Sequence, residues 1–195
     1  MSAASPLEVT LQAAHLFERL QIPYIVVGSV ASSIHGEPRS TLDVDITLRL
    51  KADDVPILAR ALGRDFLIDE AALRESVRTG FPCNAIHRAS HVKLDLYVQE
   101  NEGLPAIELA RARLVRLTSE EGSEVRVLSP EDVVLRKLAW YRKGGEVSDR
   151  QWRDVVGVLK AQGKRLDTTH LSSWAVTLGV SDLLEKALLE SRRSS

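Results

Sequence analysis

Two aspartates set two residues apart in an apolar run, Leu42-Asp43-Val44-Asp45-Ile46, constrain this chain more than any other feature. Residues two apart in an extended chain project from the same face. Both carboxylates therefore stand on one face of a strand, with Leu42, Val44 and Ile46 on the other. Two like charges side by side repel unless a cation lies between them or one of them takes a proton. A divalent cation resolves the conflict most simply, because hard oxygen ligands suit Mg²⁺. The plainer alternative is an edge strand with a solvated face. Upstream, the apolar run 24–27 ends at Gly28-Ser29, and a small-residue segment and a polar turn (36–41) lead into the aspartates.

The pattern around this stretch predicts an α/β (α+β) fold followed by helices. Leu7, Leu11, Ala14 and Leu20 follow a helical spacing over 6–20, and Pro23 ends it. Residues 24–27 read as a buried strand that hands over directly to a helix, 28–35. Residues 42–49 form the second strand and 53–62 a helix closed by Gly63. A short strand at 66–68 and a short helix at 70–77 follow. Residues 84–88 and 92–98 read as a strand pair, 105–112 as a helix, and 114–118 with 124–128 as a hairpin. From Ser129 the chain turns helical. Ser129-Pro130-Glu131-Asp132 is a helix start with a serine cap and proline in the first position. Ser148 and Gln151 have the spacing of a capping box. Residues 168–177 and 181–189 complete the helices. The expected division is an α/β core with its N-terminal helix over 1–128 and a helical region over 129–195.

Further positions have types that suit a charged binding site. Gly28-Ser29 opens a helix whose first N–H groups have no internal partner and carry partial positive charge, which suits a phosphate. It is neither a G-x-G-x-x-G fingerprint nor a P-loop; a glycine used for tight strand–helix packing is the alternative. Asp95, in Lys93-Leu94-Asp95-Leu96-Tyr97, interrupts an alternating strand and faces the side opposite Leu94 and Leu96. Lys137 falls in the middle of an apolar stripe formed by Val133, Val134, Leu138, Trp140 and Tyr141. Such a lysine either snorkels to solvent or meets an anion at a cleft. On the next helix Asp154 borders the side marked by Trp152, Val155, Val158 and Leu159, and Asp149 points away. Asp154 is thus the better candidate to orient Lys137 or an acceptor group, an ordinary surface aspartate being the alternative. Arg39 could reach a phosphate or pair with Asp43.

Composition narrows the classes. Of 195 residues, 44% are apolar and 27% charged, as in ordinary globular proteins. A net charge of −1 gives no global basic signal for nucleic acid. The single cysteine, Cys83, cannot form an intramolecular disulfide, so a reducing compartment fits. Neither a membrane span nor a signal peptide is read from the sequence, which makes the cytoplasm the expected location. The five histidines lack zinc-site spacing.

The apolar-Gly28-Ser29 element, thirteen intervening residues and Asp43-Val44-Asp45-Ile46 together resemble the signature of the nucleotidyltransferase superfamily that includes DNA polymerase β. The form Arg39-Ser40-Thr41-Leu42-Asp43-Val44-Asp45 is similar to the R-x-T-x-D-x-D of bacterial AbiEii-type nucleotidyltransferases, the toxin half of some toxin–antitoxin pairs, and of related bacterial families. Those proteins also carry a lysine on a helix after the core, and Asp on the next, where Lys137, Asp149 and Asp154 stand here. The resemblance implies a mixed β-sheet with flanking helices and a C-terminal helical bundle. It implies that two Mg²⁺ bind Asp43, Asp45 and Asp95, and that Gly28, Ser29, Arg39, Thr41, Lys137 and Asp154 belong to the nucleoside triphosphate site. The implied reaction moves a nucleoside monophosphate to an acceptor hydroxyl on a small molecule, an RNA or a protein, with an antitoxin as partner if the chain is a toxin. A nucleotide-binding or regulatory module of the same fold without turnover is the alternative.

Overall fold

The computed structural model describes residues 4–99 and 102–193. Residues 1–3, on which the signal-peptide expectation partly rests, lie outside them. Contacts divide the chain into two compact units. The first holds the described residues up to Val30 together with Thr41–Leu128; the second holds Ala31–Ser40 and the residues from Ser129 onward.

The first unit is built on a sheet that, among the described residues, has seven strands: β1 (Tyr24–Val26), β2 (Asp43–Leu48), β3 (Phe66–Ile68), β4 (Cys83–His87), β5 (Lys93–Val98), β6 (Arg113–Arg116) and β7 (Glu124–Val127). Their order is β3-β4-β5-β2-β1-β7-β6. β2 runs parallel to β5 and β1 parallel to β7, while the remaining pairs are antiparallel, so the sheet is mixed. All three residues of β1 are buried, as expected of a strand with neighbours on both sides and covered faces. Val44, Ile46 and Leu48 of β2 and Leu94 and Leu96 of β5 are fully buried. Leu42, expected to join them, lies outside the strand and is 81% exposed. The reason is local: the Thr41 hydroxyl donates to the Asp43 carbonyl at 3.0 Å, a turn that delays entry into the ladder.

Helix α1 (Pro6–Arg19) closes one side with Val9, Ala13, Leu16 and Phe17, a stripe of helical period. Its start is a full capping box between Ser5 and Glu8. The Phe17 and Tyr24 rings lie 5.6 Å apart. The Tyr24 hydroxyl donates to Glu18 at 3.0 Å and accepts from the Arg126 amide at 3.3 Å, tying α1, β1 and β7 together. Burial pushes the Tyr24 phenol up to about 12, and the nearby Glu18 charge adds to it. Helices α3 (Val55–Leu62), α4 (Glu70–Thr79) and α5 (Gly103–Arg111) complete this unit. The division between the units falls within α2 (Gly28–His35).

The second unit is helical: α6 (Pro130–Lys143), α7 (Asp149–Gln162), α8 (Thr168–Thr177) and α9 (Ser181–Arg193). Leu135, Leu138, Val155, Val158, Leu171 and Leu184 supply its core. Ser129 caps α6 by accepting from the Asp132 amide at 3.2 Å. Ser148 caps α7 through the Gln151 amide. The reciprocal half of that capping box is not formed, since Gln151 Oε1 is buried without a hydrogen-bond partner. Sequence periodicity gives no hint of a buried pair here, Asp132 on α6 and His170 on α8, 2.6 Å apart. The Ser129 hydroxyl donates to this carboxylate at 2.6 Å, which makes it a cap and not an activated nucleophile.

The segment Ala31–Ser40 belongs with these helices and not with the α/β core that contains it in sequence. Gln162 donates to the His35 carbonyl at 2.7 Å. At Gly36 a β-carbon would stand 2.8 Å from the Val158 amide nitrogen, so only glycine admits the approach of α7.

Candidate functional site

Strand register assembles the first group of expected residues. β2 and β5 pair in parallel with Asp43 opposite Lys93 and Asp45 opposite Asp95. Directly paired residues share a face, and adjacent strands lie about 4.8 Å apart. Four charged side chains thus stand on one face of two central strands, over the apolar layer of Val44, Ile46, Leu94 and Leu96. Asp43 is half exposed, and Asp95 is nearly buried.

The third element of this corner is Gly28, at the start of α2. It adopts φ +60°, a conformation that suits glycine. Its α-carbon lies against the Asp45 side chain: a β-carbon there would come within 2.6 Å of Asp45 Cγ and nearer still to Oδ2. Glycine is therefore required twice, by conformation and by space. Its neighbour Ser29 is the next residue of the helix.

Lys93 was not among the expected site residues. Its ammonium bonds Asp95 Oδ2 at 2.9 Å and lies 3.8 Å from Asp43 Oδ1. That bond to Asp95, against the opposing effect of burial and with the charges of Asp95, Asp43 and Asp45 adding, holds the ammonium above its ordinary pKa. The Tyr97 hydroxyl lies 3.5 Å from Asp45 Oδ1. Burial, with the charges of Asp45 and Asp95, pushes this phenol up to about 12. Among the described residues no three Asp, Glu, His or Cys side chains converge as a metal-ligand set; a lysine stands among the three carboxylates instead. The sequence signal that could have found it is the spacing Lys93-x-Asp95, two residues apart like the aspartates of β2.

The second group lies in the helical unit. Arg39 makes a two-point contact with Asp154, Nε to Oδ1 and an Nη to Oδ2, both at 3.0 Å. Lys137 Nζ reaches the same Oδ2 at 2.7 Å, and the Ser32 hydroxyl reaches it at 3.3 Å. The structure thus joins Lys137 with Asp154. The Arg39 guanidinium is engaged by Asp154, whose two oxygens match its planar fork. Burial alone would push the Asp154 carboxyl up, but the hydrogen bonds and charges of Arg39 and Lys137 outweigh it and hold it below the usual carboxylate range. Asp149, at the first turn of α7, is exposed.

No family profile and no curated protein matches the chain. Solved structures do. An antigenic nucleotidyltransferase-like protein from Paracoccidioides brasiliensis superposes with a TM-score of 0.57 at 17% identity, over 96% of this chain and 94% of that one. The solution structure of the antibiotic-resistance factor ANT(2'')-Ia gives 0.53 at 16% identity, over 98% and 99%. Its crystal structure in complex with adenylyl-2''-tobramycin gives 0.56 at 11% identity, over 88% and 95%. A mixed seven-stranded sheet with flanking helices, followed by a helical unit and matched over nearly whole chains, is the nucleotidyltransferase fold.

Proposed function

We propose that this chain is a metal-dependent nucleotidyltransferase that moves a nucleoside monophosphate from a nucleoside triphosphate to an acceptor hydroxyl. One observation carries the reading: Asp43, Asp45 and Asp95 share a face of two paired central strands, and the glycine that opens α2 is packed against Asp45. Three carboxylates on one face of paired strands are costly without a cation, and a glycine at a helix start is apt for close approach of a phosphate.

The residues present fit magnesium. Their donors are all carboxylate oxygens, the preference of a hard cation, and a cation, the Lys93 ammonium, is already drawn among them. Asp43, Asp45 and Asp95 would hold it. Bound magnesium supplies charge neutralisation at the phosphates and a lowered pKa for the acceptor hydroxyl. The chain's own part is position and charge. The start of α2, at Gly28 and Ser29, would offer the positive end of its helix to a phosphate. Val44, Ile46, Leu94 and Leu96 anchor the carboxylates from below. In the transfer, the acceptor oxygen bonds the α-phosphorus, the bond to pyrophosphate breaks, and the hydroxyl proton is released. Arg39, Lys137 and Asp154 form a charged cluster of their own within the helical unit.

A small-molecule hydroxyl is the first acceptor class to test, since ANT(2'')-Ia, of the same fold, is seen with adenylyl-2''-tobramycin. Each α-³²P-labelled triphosphate is incubated with Mg²⁺ and panels of aminoglycosides, RNA and protein. Label transfer with stoichiometric pyrophosphate, lost in Asp45→Asn, supports the proposal. Triphosphate binding with no pyrophosphate released in the presence of any acceptor overturns it in favour of a binding module.

A further inference from the structure

We infer that Lys93 is a built-in counter-cation of the carboxylate set, and that a divalent ion loads only by displacing its ammonium. This rests on the proposed reading of Asp43, Asp45 and Asp95 as metal ligands. It adds a residue to which neither the family motif nor the site chemistry assigns a role.

Three observations carry it. Register puts Lys93 directly beside Asp43 and on the face of Asp45 and Asp95. Its Nζ lies 2.9 Å from one of these carboxylates and 3.8 Å from another, so it stands in the space between them. No three acidic side chains converge there among the described residues, as they must around a shared ion. The ammonium neutralises one of the three charges, which lets the strands pair without a metal. A dication brought to the same oxygens would face it at contact range, where like charges repel strongly.

Lysine suits a counter-ion that must leave. Its charge sits at the end of a flexible four-carbon stem and is strongly hydrated. The Lys93 side chain is 40% exposed, so it can swing into water without disturbing the core. An arginine held by two-point contacts, such as Arg39 on Asp154, would not release as readily. The device keeps the site structured when empty and sets a threshold for metal loading.

The test is Mn²⁺ binding by the full-length protein without nucleotide, read from the electron paramagnetic resonance signal of free Mn²⁺. Lys93→Met and Lys93→Gln are compared with the unaltered chain and with Asp45→Asn. A lysine that competes for the carboxylates predicts binding about three- to tenfold tighter in both Lys93 variants. Asp45→Asn weakens binding in either background. A melting temperature for each variant verifies that it is folded. If both folded Lys93 variants bind Mn²⁺ no more tightly than the unaltered chain while Asp45→Asn abolishes binding, the inference falls and the metal site stands. If Asp45→Asn leaves binding unchanged in both backgrounds, the carboxylates are not the metal site and both ideas fall together.

Discussion

The Asp45 carboxylate lies against the α-carbon of Gly28, with no room for a methyl group between them. Gly28→Ala therefore does two things at once. It forces an L-residue into φ +60°, at a cost of about 1–2 kcal/mol, and it pushes Asp45 from its place. The expected result is a melting temperature lower by about 2–8 °C together with loss of Mn²⁺ binding. A variant that melts early but binds metal normally would show that the contact is only packing.

The three carboxylates separate stability from activity. Asp43→Asn, Asp45→Asn and Asp95→Asn are each expected to lower nucleotidyl transfer about 100-fold or more, the scale of a lost metal ligand. Asp43 is half exposed and shares the Lys93 ammonium with Asp95. Asp43→Asn should accordingly melt within about 2 °C of the unaltered protein, or above it, because a repulsive charge has gone. Circular dichroism melts beside a pyrophosphate assay read both quantities.

Asp154 is the anion of a largely buried cluster with two cations. Asp154→Ala removes the anion that Arg39 and Lys137 share, and should destabilise the protein by about 3 kcal/mol in urea unfolding. Lys137→Met should cost less, since Asp154 keeps Arg39. The pH dependence has a definite sign. The folded carboxyl is held below its unfolded value, near 3.9. Its stabilisation is present above about pH 4 and is lost as pH falls through the depressed folded value. Asp154→Asn should flatten this acid limb of the stability curve.

Tyr24 supplies the opposite limb. Its phenol is raised to about 12 in the folded protein, against about 10 unfolded. The stabilisation is complete below about pH 10 and declines as pH rises towards 12. Tyr24→Phe also loses two hydrogen bonds, to Glu18 and from the Arg126 amide, for about 1–2 kcal/mol near neutrality. Melting temperatures from pH 8 to 12 should fall less steeply in the variant than in the unaltered chain.

What was legible in the sequence was what depends on local period. Alternation placed Asp43 and Asp45 on one face, the family resemblance pointed to Asp95 on a neighbouring strand, and the parallel pairing of β2 with β5 puts all three on the same side. Helical spacing made Lys137 and Asp154 facing candidates, and they touch at 2.7 Å. What depends on distant pairing was not legible. The position of Lys93 beside Asp43 follows from a register between segments fifty residues apart. The Arg39–Asp154 contact bridges a separation of 115 residues. The membership of Ala31–Ser40 in the helical unit follows from glycine contacts with α7 that no periodicity encodes.

The places of β2 and β5 in the middle of the sheet have a mechanical consequence. Each is hydrogen-bonded along both edges, so the gap between Asp45 and Asp95 is a gauge set by the ladder itself, about 4.8 Å between backbones. Helices around the sheet can be redesigned, shortened or allowed to drift, and they will change how firmly that gauge is clamped without changing its width. Adaptation of this chain to a larger or smaller ion must therefore act through the reach of its side chains and leave its strands alone.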